Sequence, residues 1–256
     1  MEIYVISIVA FVASMLTFFS GFGLGTILTP AFVLFFPVEV SITLTGIAHL
    51  LNNFFKIGLV GKHINLKIGI KFGATAIIGA FAGAQLLILF TYQSPLYTYT
   101  INQRLFSITT LKLILSILMI VFVLFDLLPS LNKIQFQNRL YSGGLISGFF
   151  GGLTGNQGAL RSMFLVKSGL IKESFIATGV FIACLVDVTR LSIYFDRLSS
   201  VNIQDNLSIL IAAIVSAFTG AYVGNKLLKK VTFNFVQQAV AIMIIVLAIG
   251  LGSGLI

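Results

Sequence analysis

Apolar runs about as long as a bilayer-spanning helix recur from Ile3 to the end of the chain, and they leave almost no sequence for a water-soluble domain. A spanning helix needs roughly 20 mostly apolar residues. The runs fall near 3–20, 24–36, 40–60, 68–90, 109–129, 140–152, 156–168, 173–195, 206–228 and 233–252. With 58% of the 256 residues hydrophobic and 9% charged, a globule in water would expose large apolar surface. The expected fold class is an all-α integral membrane protein, with one membrane domain over 1–256 and membrane lipid as its surroundings.

The remaining composition excludes several function classes. The formal net charge of +9 comes from basic residues scattered in short loops, with no aromatic-interleaved basic tract, so nucleic acid is not an expected partner. The first run follows Met1-Glu2 without a basic segment or a small-residue cleavage site, and reads as a retained helix. Cys184 has no second cysteine to pair with, and reads as packing. His63 sits in a basic loop without cysteine neighbours, so neither a metal site nor a cofactor is expected. No nucleophile with its base is visible, and the chain does not read as an enzyme.

Loop charges suggest a topology. If all ten runs cross, Lys62, Lys67, Lys133, Arg139, Lys167, Lys172, Lys226, Lys229 and Lys230 fall on one side, and chiefly Glu39, Arg104, Asp196, Arg197 and Asp205 on the other. The positive-inside rule makes the first side cytoplasmic. The halves, near 3–129 and 140–256, also align with each other. A shift of 133 residues superposes Gly25 on Gly158, Ser41 on Ser174 and Thr45-Gly46 on Thr178-Gly179. A shift of 137 superposes Ala80-Phe81 and Gly83-Ala84 on Ala217-Phe218 and Gly220-Ala221. Five runs per half is an odd number, so the halves are expected to be inverted repeats, as in many secondary transporters. The Gly-Ala stretches at 79–84 and 216–221 read as close helix contacts, with a pore lining as the alternative.

In each half a glycine-rich stretch precedes an unusually short run: Ser20 to Thr26, and Gly148 to Gly158. Broken helices at matching positions point to a transport site, because backbone freed from a helix must line a cavity rather than face lipid. The helix starts near Gly25 and Gly158 would offer free N–H groups to an anion, with Gly23 beside the first. A packing kink is the plainer alternative. Arg161, three residues past Gly158, could grip an oxyanion through its donor fork, with Thr26, Thr29, Asn156, Gln157 and Ser162 as neutral donors around the same cavity. Arg190 follows Asp187 by three residues, so a structural salt bridge competes with a role in substrate binding. His49, with Asn53 four residues on, could shuttle a proton together with Asp187, or be an interhelical hydrogen bond. Lys56 reads as a surface anchor whose chain snorkels to the cytoplasmic face.

The two glycine-rich breaks at 21–25 and 148–158, Pro30 behind the first, and the repeated Thr-Gly and Gly-Ala pairs resemble the TauE/SafE family of sulfite and organosulfonate exporters. The likeness covers essentially the whole chain. It implies a multi-pass transporter of the prokaryotic inner membrane, carrying sulfite, sulfoacetate or another small sulfur-containing anion with protons as the coupling ion. Met163 stands where Pro30 would repeat and Arg161 where Leu28 would, so the second break is the more polar and is expected to be the main anion contact. An anion channel, a membrane subunit without transport activity and a homo-oligomer are the other readings the sequence leaves open.

Overall fold

A computed structural model describes residues 1–20, 24–127, 139–166, 168–200, 203–227 and 234–255. Gly23, and the loop lysines Lys133, Lys167, Lys229 and Lys230, lie outside the described residues. Within them ten α-helices overlie the apolar runs: α1 Glu2–Ser20, α2 Leu24–Val33, α3 Val38–Val60, α4 Leu66–Thr91, α5 Thr110–Leu127, α6 Leu140–Thr154, α7 Gly158–Leu165, α8 Lys172–Ser200, α9 Ile203–Leu227 and α10 Asn234–Gly252. Leu66–Thr91, Lys172–Tyr194 and Asn206–Lys226 are long and apolar enough to cross a membrane. In contrast, α2 has 10 residues and α7 has 8. At ~1.5 Å per residue each covers about half or less of a hydrocarbon core of ~30 Å.

Local chemistry sets the helix ends. The Asn65 side chain accepts a hydrogen bond from the Ile68 N–H at 3.1 Å and so caps the start of α4, satisfying one of the amides left free there. Gly155 closes α6 in the left-handed region, at φ 80°, where glycine has no Cβ to oppose it. The second glycine-rich stretch is therefore not broken along its length: α6 runs through Gly148, Gly151 and Gly152, and the break is confined to Gly155–Gln157.

Packing explains that difference. A Cβ on Gly79 or Gly83 of α4 would run into the carbonyls of Leu145 and Phe149, and one on Gly144, Gly148 or Gly152 of α6 into those of Phe72, Ala76 and Ala80. The two helices meet backbone to backbone along a glycine seam. Gly220 of α9 meets the Phe11 carbonyl of α1 in the same way. Small residues allow this approach, and in lipid close packing replaces the missing hydrophobic drive.

Between α4 and α5 the chain forms a hairpin that the helical expectation did not include. Its strands are β1 Tyr97–Ile101 and β2 Arg104–Ile108, antiparallel, with Ile101 opposite Arg104. Asn102 and Gln103 both take positive φ, 48° and 65°, the geometry of a tight primed turn that matches strand twist. Tyr99 stacks on its partner Phe106 at 5.5 Å between ring centroids. Its hydroxyl donates to the Ser253 carbonyl at 2.6 Å, tying the hairpin to the end of α10. Tyr99→Phe is expected to lower unfolding stability by about 1 kcal/mol, the net worth of one hydrogen bond, measured by thermal unfolding in detergent.

The end of the molecule opposite the hairpin is basic. There the Asn65 N–H donates to Thr178 Oγ1 at 2.9 Å, which sets the α3–α4 connection, with Lys62 and Lys67, beside the start of α8 and Lys172. Gly224 packs on Met15 and Phe18, which brings Lys226 to the same end.

Candidate functional site

The start of α2 meets the second break inside the molecule. A Cβ on Gly25, at the start of α2, would sit 3.3 Å from the Gly155 carbonyl oxygen and 3.7 Å from Thr45 Cγ2. Thr26, Thr29, Asn156, Gln157 and Gly158 are all buried around this junction. Several of their polar atoms have no hydrogen-bond partner among the described residues: Thr29 Oγ1, Thr45 Oγ1, Asn156 Oδ1 and both ends of the Gln157 amide. Buried polar groups are normally satisfied, so these atoms call for partners that the described residues do not supply.

Two small cavities open beside the junction. The first, about 30 Å³, is lined by His49, Asn53 and Lys56 of α3, Arg161 and Ser162 of α7, and the first turns of α8 from Phe175 to Ala183. That volume holds on the order of two waters. The second, about 10 Å³, is lined by Thr29, Thr154 and Asn156 together with apolar side chains of α2, α5 and α10. The expected donors divide between the two. Ser162 joins Arg161 in the first cavity, but Thr29 and Asn156 line the second, and Thr26 and Gln157 line neither. The physical reason is direction: from the shared junction α2 leads to the start of α3, whereas α7 leads to the basic end where α8 begins.

Beside the first cavity lies a buried charge network. Asp187 accepts from Arg190 Nε at 3.0 Å through Oδ1, and Arg190 Nη2 lies 2.9 Å from the same oxygen. Its Oδ2 is 2.6 Å from His49 Nδ1 and accepts from Asn53 Nδ2 at 3.2 Å. At that distance from a carboxylate Nδ1 carries the proton, which leaves Nε2 as the ring nitrogen not held by Asp187. Arg190 is completely buried and lines neither cavity. Its contact with Asp187 is the salt bridge that the i, i+3 spacing allows.

The repeated Thr-Gly pairs acquire a concrete role. A Cβ on Gly46 would press on Arg190, 3.4 Å from Cζ, and on Leu191 Cδ2 at 3.0 Å; one on Gly179 would lie 3.4 Å from Arg161 Nε. Each glycine lies directly against one arginine. At Gly155 the fit is closer still, since a Cβ there would fall 2.6 Å from Arg190 Nη1.

Lys56 departs from the surface anchor that its position late in α3 suggests. It does not snorkel to the surface: only 4% exposed, it lines the cavity with Arg161, its ammonium 5.7 Å from the Phe18 ring centre. The signal was present. His49, Asn53 and Lys56 stand at i, i+4 and i+7, one face of α3, and the three appear together in the cavity wall.

A family model described as sulfite exporter TauE/SafE matches residues 6–251, nearly the whole chain. Searches of curated proteins and of solved structures returned no match.

Proposed function

The chain belongs to the sulfite exporter TauE/SafE family, and from that membership and the charges around the first cavity we propose that it exports a small sulfur oxyanion, such as sulfite or sulfoacetate. One observation carries the choice of site. Among the described residues the buried charged groups are Lys56, Arg161 and Arg190 against the single carboxylate of Asp187, with His49 beside them. Buried charges need compensation. An anion in the cavity, held by the Arg161 fork, Ser162 and Asn53, supplies it.

The transport cycle proposed is alternating access between two inverted halves in a prokaryotic inner membrane, with the basic end cytoplasmic. Three features support the inverted arrangement: short α2 and α7 start near one another at Gly25 and Gly155, they lead to opposite ends, and Gly46 and Gly179 each lie against an arginine. At about 30 Å³ the cavity is smaller than its cargo, so it must widen on one face to load. His49, paired with Asp187 and facing the cavity, is the proposed carrier of the coupling proton. The junction polar groups Thr26, Thr29, Asn156 and Gln157, with the backbone at Gly25 and Gly158, line the onward path.

Arg161→Ala tests the site. Purified wild-type protein is expected to gain thermal stability with added sulfite, since a ligand stabilises the state it binds. The variant should keep its helix content and lose affinity by about ten- to a hundredfold, as for a charge-assisted contact of ~1.5–3 kcal/mol. Unchanged affinity would remove Arg161 from the site. In liposomes the carrier should move protons with sulfite, whereas a channel would pass sulfite alone with voltage.

A further inference from the structure

The second cavity, about 10 Å³, differs from the first in that its lining carries no charged side chain, only Thr29, Thr154 and Asn156 among apolar residues. All three are at most 7% exposed, and Thr29 Oγ1 and Asn156 Oδ1 have no hydrogen-bond partner among the described residues. Thr154 Oγ1 donates to the Phe150 carbonyl at 3.0 Å and accepts from the Asn156 N–H at 3.2 Å, which leaves it one lone pair to offer. Pro30 exposes a fourth oxygen. It lies inside α2 and lines the cavity. Because proline has no N–H, the Thr26 carbonyl one turn earlier loses its usual helix bond and points towards this wall. We propose that the second cavity is a binding site for a sodium ion, separate from the anion cavity and independent of the anion-binding reading.

The chemistry of the wall selects the ligand class. Oxygens offering lone pairs suit a hard cation, and the carbonyls and C-terminal ends of broken helices hold such ions in other transporters. Thr154 is the last residue of α6, where the helix dipole places partial negative charge. A divalent ion in lipid would need carboxylates to offset its charge, and the lining has none. The class is therefore monovalent. A space on the order of one water, with few oxygens around it, favours small sodium over larger potassium. The second half has no matching wall, since Met163 stands where Pro30 would repeat and Arg161 where Leu28 would. One break thus offers oxygens to a cation, and the other leads into a guanidinium.

The experiment follows thermal unfolding of the purified full-length protein in sodium, potassium and choline chloride at equal ionic strength, with no sulfite present. Sodium is expected to raise the unfolding temperature saturably, potassium less so and choline not at all, because an ion that binds only the folded state stabilises it. Thr29→Val, which has nearly the same shape, should weaken the apparent sodium affinity by about tenfold or more. Thr29→Ser should keep it. Valine removes a buried hydroxyl that has no partner among the described residues, so Thr29→Val should stay folded in choline, and a lost sodium response is then not a lost fold. If wild-type protein is equally stable in the three salts, the cavity holds water alone and the proposal is overturned. If sodium stabilises wild type and Thr29→Val over the same concentration range, the ion binds elsewhere and this site is overturned too. Sulfite binding is scored separately, so the anion site can stand or fall without this one.

Discussion

Replacing Gly148 with leucine is expected to remove most folded protein from a detergent extract, the largest loss of stability of any substitution considered. Gly148 lies in the middle of the α4–α6 seam, where even a single Cβ would meet the Ala76 carbonyl and Cα. Overpacking usually costs about 1–3 kcal/mol because side chains can shift aside. Here the obstacle is backbone on both helices, so the helices must separate, and Gly79, Gly83, Gly144 and Gly152 lose their contacts together. The damage also reaches the site. Tyr194 donates to the Gly152 carbonyl at 2.6 Å, and α6 ends in the Gly155 break that precedes Arg161. Gly148→Ala should be intermediate. Gly58→Ala is the matched control: no atom lies within 4 Å of its Cβ, and alanine in a helix is favoured by about 0.5–1 kcal/mol. Size-exclusion profiles and unfolding temperatures of the three variants rank them. A Gly148→Leu protein with a wild-type profile would mean that the seam does not hold α4 to α6.

Why some of this was legible and some was not follows from the range of the signals. The apolar runs are local and long, so the helices could be placed within a few residues, including the two short ones. Capping and packing then moved the boundaries. Gly148 to Gly152 looks like a break in sequence because glycine is a poor helix former, yet a facing helix turns the missing side chains into an advantage. The hairpin leaves a trace in the alternation from Tyr97 to Ile101 before Asn102, but five residues of alternation are a weak signal between long apolar helices. The site was the least legible part. Arg161 and the second break are adjacent in sequence, so local pattern nominates them together. The separation of Thr29 and Asn156 from Arg161 depends on the directions of α2 and α7, which local pattern does not contain. Lys56 was missed because its distance from a chain turn suggested snorkelling, whereas the cavity between α3, α7 and α8 exists only in three dimensions. The pairing of His49 with Asp187, 138 residues apart, joins two residues that sequence could nominate but not bring together.

Asp187→Asn is expected to destabilise the protein by about 3–5 kcal/mol, the usual result of removing one partner from a buried ion pair. Asparagine has nearly the same shape, so the loss would be electrostatic. Oδ1 receives Arg190 while Oδ2 receives His49 and Asn53. An amide has only one acceptor oxygen and must turn its NH₂ towards one of these groups. Arg190 is then left as a buried cation without its counter-charge. Adding Arg190→Gln removes that orphaned charge, and the double variant should recover part of the lost stability, with a coupling of about 0.5–3 kcal/mol. Denaturant or thermal unfolding of the wild type, both single variants and the double variant closes the cycle. The recovered double variant then separates two roles that stability alone cannot. If Asp187 only anchors Arg190 and α8, restoring the fold should restore coupled transport. If His49 with Asp187 carries the proton, the double variant should still be stabilised by sulfite, because Arg161 and Lys56 are untouched, yet show no sulfite-dependent proton movement in liposomes. The second outcome is expected: His49 meets Asp187 and Asn53 among the described residues, and in the double variant both partners are neutral amides that cannot take part in a proton relay.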